Sequence, residues 1–156
     1  MNQRVLIEKN YLRIPIRKDA VEKNVWLYQE LTAVLQFQAG LFVDHGSGAP
    51  DFYAELPVER WKGSVLTLVH EEDRPVPFLQ SDELLPNTEP FQPWIHFAPK
   101  SGWMNDVCGA CWYQGSYHLY FQHNPFGIQW NNMSWGHAES TDLLHWVQKE
   151  DVMFPD

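Results

Sequence analysis

Short apolar runs, each closed within a few residues by a turn-forming loop, leave this chain antiparallel β-structure and little else. Residues 11–17 alternate after Tyr11, with Leu12, Ile14 and Ile16 on one face, the period of two that a half-buried strand requires. Residues 25–28, 34–39 and 52–56 are rich in residues that suit a pleated surface. Residues 64–70 set Val65, Thr67 and Val69 against Leu66, Leu68 and His70. Leu41-Phe42-Val43 runs into a loop at 44–50 that holds Asp, Gly, Ser and Pro. Short strands separated by turns predict a small β-sandwich for the first half. Pro15 lacks an N–H, which predicts an edge strand there.

Prolines then break the pattern. Pro75, Pro77, Pro86, Pro90 and Pro93 remove backbone donors and restrict their predecessors, which predicts an extended linker rather than sheet. Composition changes across it: residues 94–156 hold six of the eight Trp, five of the seven His and both Cys. We therefore expect two domains, 1–88 and 89–156, in an all-β chain. The second is read as a meander: strands at 110–113 and 117–122 joined through Gln114-Gly115-Ser116, then 133–138, a turn at Thr141-Asp142, and 145–147. Trp112, Tyr113, Tyr117, Tyr120 and Phe121 are its expected core.

Several function classes are disfavoured. A net charge of −9 opposes the phosphate backbone, so no nucleic-acid partner is expected. No apolar run approaches the roughly 18 residues of a membrane helix, so no membrane partner is expected. Residues 1–8 lack the apolar core of a signal peptide. The default is a cytoplasmic chain, or an extracellular or periplasmic one where the N-terminus has been trimmed.

Residues 1–85 gather no catalytic constellation and read as a structural or weakly ligand-binding module. The chemistry concentrates at Trp103-Met104-Asn105-Asp106. Tryptophan stacks on the apolar face of a sugar ring, and an asparagine both donates to and accepts from hydroxyls. An ionised carboxylate beside them can attack an anomeric carbon. An isolated loop Asp, by contrast, commonly bonds its own backbone.

The longer run decides between these. His96–Pro99, Trp103–Asp106, residues 120–127 (Tyr-Phe-Gln-His-Asn-Pro-Phe-Gly), 130–138 (Trp-Asn-Asn-Met-Ser-Trp-Gly-His-Ala) and 140–146 (Ser-Thr-Asp-Leu-Leu-His-Trp) closely resemble the start of glycoside hydrolase family 32, the β-fructosidases that include invertases, levanases and inulinases. The resemblance covers about 93–156 and implies the first blade of a five-bladed β-propeller, cut short, acting on a fructan or sucrose-type substrate by retaining hydrolysis. It implies Asp106 as the nucleophile and Asn105, Gln122, Trp130, Trp103 and Asn131 as sugar-binding residues. Trp61-Lys62-Gly63 and Gln80-Ser81-Asp82 also resemble the β-sandwich module that precedes the catalytic domain in some levanases.

The pattern departs from the family in two ways. Val107 and Cys108 stand where the family carries Pro and Asn, and neither an Arg-Asp-Pro nor a Glu-Cys run, which carry the family's stabilising Asp and acid/base Glu, occurs in the chain. Turnover by these residues alone is therefore not expected, and a non-catalytic sugar-binding module is the alternative. Glu139 is read as a rim glutamate and Asp142 as a turn cap. Cys108 and Cys111 lie about 10 Å apart along a strand, too far for a disulfide, and read as buried free thiols. No cofactor and no metal are expected. His96, His123 and His137 are expected to orient loops, and His45 and His70 to lie at the surface or an edge. A single blade exposes strand edges, so self-association is expected.

Overall fold

The computed structural model describes residues 1–46, 48–86, 93 and 95–155. The predicted boundary at 88/89 and Trp94 lie outside the described residues. Among the described residues the chain is all-β apart from one short 3-10 turn, and it divides into two compact units, Met1–Leu85 and Pro86–Phe154.

The first unit holds β1 (Asn2–Leu6), β2 (Tyr11–Ile16), β3 (Lys23–Gln29), β4 (Thr32–Ala39), β5 (Phe52–Pro57), β6 (Val65–His70) and β7 (Leu79–Ser81). Two antiparallel sheets result, one in the order β1-β6-β3-β4 and one in the order β5-β2-β7. Alternation selects the core: Leu12, Ile14 and Ile16 of β2, Val25 and Leu27 of β3, and Leu66 and Leu68 of β6 are all essentially inaccessible. These are the inward residues of a β-sandwich. His70 continues the Leu66–Leu68 face and is buried at 2% exposure, not at the surface as expected. Its Nδ1 accepts from the Glu72 N–H, and burial lowers its pKa.

Pro15 does not mark an edge strand. β2 is the centre of its sheet, but β7 covers only Tyr11 to Arg13 and has ended before the proline. Past that point the Pro15 carbonyl accepts from the Phe42 N–H at 2.9 Å, and the proline has no N–H to return. The stretch expected to be free of sheet supplies β7. Gln80 is the reason: its side-chain oxygen accepts from the Glu8 and Lys9 N–H groups and its amide donates to the Leu6 carbonyl. Asp82 pairs with Lys9 and Lys62. Beyond it, Glu55 accepts from both Arg13 and the Leu85 N–H. β1 gave no alternating signal because it is an edge strand, and of the Val5-Leu6-Ile7 run only Ile7, just past its end, is fully buried.

The second unit is a four-stranded antiparallel sheet in the order β11-β10-β9-β8, with β8 spanning Trp103–Tyr113, β9 Ser116–Asn124, β10 Ser134–Ser140 and β11 Trp146–Gln148. Gln114 (φ 48°) and Gly115 (φ 87°) make the β8–β9 turn, both left-handed as a two-residue hairpin turn that matches strand twist requires. A four-stranded meander is also the form of a propeller blade. Phe121 and Ala138 are fully buried, with Phe97 tilted over Phe121 at 4.9 Å. Trp112 and Tyr113, expected in the core, are 57% and 60% exposed. They occupy the end of β8, the edge of the sheet, where no further strand covers them among the described residues. Cys108 and Cys111 are free as expected but not buried; Cys108 is half-buried and Cys111 exposed.

His123 secures the start of the sheet. Its Nε2 faces the Ser101 carbonyl at 3.0 Å and its Nδ1 the Asp151 carboxylate at 2.9 Å, with both side chains buried. Two acceptors require two N–H donors, which only the imidazolium supplies. Burial opposes that charge, but the bond to Asp151, its charge and the Ser101 carbonyl outweigh burial and raise the pKa. A raised folded-state pKa adds stability that is complete below the unfolded value near 6.5 and is lost as pH rises through the folded one. Resistance of this unit to urea should therefore fall above about pH 6.5, by no more than about 1.4 kcal/mol per pH unit for one proton. Histidine-ring NMR should show His123 still protonated above pH 6.5 and His70 neutral below it; the reverse order would refute this assignment.

Candidate active site

Asn105 and Asp106 sit on a bulge of β8. Met104 pairs with His123 and Val107 with Phe121, so two residues of β8, Asn105 and Asp106, stand against one of β9, Gln122; a second irregularity follows between Val107 and Gly109. A bulge leaves its residues outside the ladder and re-aims their side chains. Both Asn105 and Asp106 are exposed. Of the departing pair, Val107 stands between the two irregularities and Cys108 within the second, with Val107 57% exposed.

Gln122 lies across from this bulge, and the Asn105 amide donates to its side-chain oxygen at 3.3 Å. Register extends the group over one face. Trp103 stands opposite Asn124, two residues along from Gln122, and Trp135 stands opposite Gln122. Cross-strand partners share a face, so Trp103, Gln122 and Trp135 do too. Trp135, 39% exposed, was not among the expected sugar-binding residues; its place opposite Gln122 follows only once the β9–β10 register is known.

Trp130 and Asn131 are carried on the loop between β9 and β10 instead. Asn124 shapes that loop: it is fully buried, its amide donates to the Gln129 carbonyl at 2.9 Å, and its oxygen accepts from the Phe126 N–H and the Asn132 side chain. Trp130 is 69% exposed, and the Asn131 side-chain oxygen accepts from the Asn132 N–H. The structure thus brings Asn105 together with Gln122 and sets Trp103 on their face, while Trp130 and Asn131 stand on a separately anchored loop.

Residues 96–156 match the family profile of the Glycosyl hydrolases family 32 N-terminal domain. This segment is similar to glycoside hydrolase family 32. The extracellular exo-inulinase of Aspergillus awamori is 52% identical to it over 61 residues, 39% of this chain and 11% of the inulinase. The levanase of Bacillus subtilis (strain 168) is 46% identical over 68 residues, 44% of this chain and 10% of the levanase. The crystal structure of the Aspergillus awamori exo-inulinase overlays with a TM-score of 0.42 and 46% identity, covering 45% of this chain and 14% of that one. The chain therefore spans about a tenth of the length of these curated family 32 relatives.

Within residues 96–156, Asp142, Cys108 and Glu139 each have local partners. Asp142 caps its turn: its carboxylate accepts from the His145 N–H, the His145 ring, the Leu144 N–H and the Ser140 hydroxyl, which holds its pKa far below the usual carboxylate range. Cys108 Sγ approaches the Asp106 carbonyl at 3.9 Å, and desolvation with the nearby Asp106 charge pushes its thiol up. That is the opposite of a reactive thiolate. Glu139 accepts from Lys149 at 3.0 Å. It lies four residues along β10 from Trp135, which marks the Asn105–Gln122 level, or about 13 Å at ~3.3 Å per residue. Retaining glycosidases hold their two carboxyl groups only about 5–5.5 Å apart. Glu139 therefore stands too far from that level to act with Asp106.

Proposed function

We propose that residues 96–156 supply the nucleophile strand of a retaining β-fructosidase acting on fructans or sucrose. The observation that supports this most is the Asn105–Gln122 contact beside an exposed Asp106 on a bulge. In the first step an Asp106 oxygen bonds the anomeric carbon as the glycosidic C–O bond breaks, and the departing oxygen takes a proton from a general acid. In the second, water attacks the same carbon, the Asp106 ester breaks, and its proton passes to the conjugate base of that acid. Asn105 and Gln122 would bind fructosyl hydroxyls, and Trp103, Trp130 and Asn131 would line the sugar. The relatives named for inulin and levan support fructosides as the substrate class.

The family's acid/base and stabilising motifs are not among these 156 residues. By themselves they bind sugar without cleaving it, which makes the non-catalytic module the second reading. β8 is also an open edge with Val107, Trp112 and Tyr113 exposed, and such an edge favours self-association. The test is a titration of the 156-residue chain with a fructo-oligosaccharide, with fructose release assayed in parallel. Shifts in the side-chain amide signals of Asn105 and Gln122 and the indole signals of Trp103 and Trp130 are expected, with no fructose released from sucrose, levan or inulin. Unmoved signals would sink the sugar site; turnover that Asp106→Asn abolishes would show that the chain needs no further carboxylate.

A further inference from the structure

Away from the sugar-binding residues, His118 of β9 meets His137 and Glu139 of β10 on the sheet. We propose that these three side chains bind a divalent first-row transition metal of the zinc class, His118 through Nδ1, His137 through Nε2 and Glu139 through Oε1. The three atoms lie within 4.8 Å of one another. The nitrogens are 3.0 Å apart, and Oε1 is 3.7 Å from His118 Nδ1 and 3.9 Å from His137 Nε2. Tetrahedral zinc with bonds of about 2.0–2.2 Å separates neighbouring ligand atoms by roughly 3.3–3.5 Å. Each edge of the triangle is thus within about 0.6 Å of that figure.

The surrounding bonds aim the ligands. His118 Nε2 faces the Tyr113 carbonyl at 3.3 Å; a carbonyl only accepts, so Nε2 carries the proton and Nδ1 keeps its lone pair. Lys149 occupies Glu139 Oε2 and leaves Oε1 toward the imidazoles. The Tyr120 ring stacks on His137 with centroids 4.7 Å apart. All three ligand side chains are less than a third exposed. With Nδ1 of His118 bare, His137 Nε2–H donates to it in the metal-free protein; on binding, that proton passes to His137 Nδ1 through solvent, and Nε2 offers its freed lone pair to the ion. Two imidazoles and one carboxylate suit zinc, nickel, copper or cobalt rather than magnesium or calcium. A fourth position stays open, and Cys111 stands opposite His118 in the β8–β9 register. The ion would clasp β9 to β10 at a level separate from Asp106.

The test titrates Co²⁺ into the full chain carrying Cys108→Ser and Cys111→Ser, followed by visible absorption and histidine-ring NMR. One equivalent should saturate, with the His118 and His137 ring signals broadened or shifted and those of His145 unchanged. His118→Gln and Glu139→Gln should each weaken binding at least about tenfold, no less than the loss of an outer-sphere partner, with amide spectra of the second unit preserved. Lys149→Ala, which releases Glu139 from its competing cation, should leave binding intact or tighten it and keeps the test decisive if a ligand variant fails to fold. No saturable uptake, or uptake that survives both ligand substitutions, would overturn the site.

Discussion

Asp106→Asn is expected to abolish catalysis where these residues serve a complete enzyme. The decisive setting is a chimera in which residues 96–156 replace the matching stretch of the Bacillus subtilis levanase, 46% identical over 68 residues. We expect that chimera to release fructose from levan and its Asp106→Asn variant to lose about 10⁴–10⁶-fold in kcat, the range over which catalytic triad residues act when removed singly. A carboxamide matches the carboxylate in size and keeps the sugar bound, so KM should change little. It cannot form the ester through which retention proceeds. Added azide, which attacks the anomeric carbon without needing the carboxylate, should restore part of the rate and give a fructosyl azide of inverted configuration. Gln122→Ala and Asn105→Ala should instead raise KM, because they remove hydroxyl contacts made in both ground and transition state. Retention of more than a tenth of the parent kcat by Asp106→Asn would remove Asp106 from the nucleophile role. An inactive parent chimera would show that residues 96–156 cannot replace the levanase stretch.

Gly102→Ala is expected to destabilise the second unit strongly. Gly102 has φ +83°, and a Cβ there would sit 2.3 Å from the Asn124 carbonyl oxygen and 3.1 Å from His123 Nε2. The left-handed backbone costs an alanine about 1–2 kcal/mol, and relieving the clash adds roughly 1–3 kcal/mol. The offending atom is backbone, on the residue that shapes the Trp130 loop, so it has no rotamer through which to retreat. We expect a loss of about 2–5 kcal/mol from urea unfolding. Gly115→Ala is the control: φ is +87° but nothing lies within 4 Å of its Cβ, so only the backbone cost of about 1–2 kcal/mol applies. Equal losses at the two glycines would show that the Asn124 contact carries no weight. Because Trp103 to Asp106 begin immediately after Gly102, the same substitution should disturb the Asn105–Gln122 contact and lower sugar binding.

Five of the seven strands of the first unit were legible: β2 and β6 as alternating runs, because a strand with one buried face leaves its period of two in the sequence, and β3, β4 and β5 from their residue types. β1 and β7 were not. Asn2–Leu6 is an edge with most of its side chains in solvent, and Leu79–Ser81 lies among prolines and is held by the side chain of Gln80. Hydrogen bonds of that kind span over seventy residues of sequence and leave no periodicity. Pro15 misled for a related reason: a missing donor announces that one bond is absent, not which strands stand on either side. In the second unit the hairpin at Gln114-Gly115 could be read directly, since its left-handed turn constrains residue type. The exposure of Trp112 and Tyr113 could not, because it depends on which strand ends the sheet.

For the candidate site the division is equally physical. Sequence alone determined the all-β class, the composition of the candidate sugar site and, through motif order, the family that residues 96–156 resemble, because local pattern and residue chemistry are carried by neighbours in the chain. It could not determine that Asn105 reaches Gln122, that Trp135 shares their face, or that His123 is held as an imidazolium between Ser101 and Asp151. Nor could it show that His118, His137 and Glu139 converge. Each of those facts depends on register, where a shift of one residue turns every side chain to the other face. Only the folded sheet, with its bulge at Asn105-Asp106, decides that register.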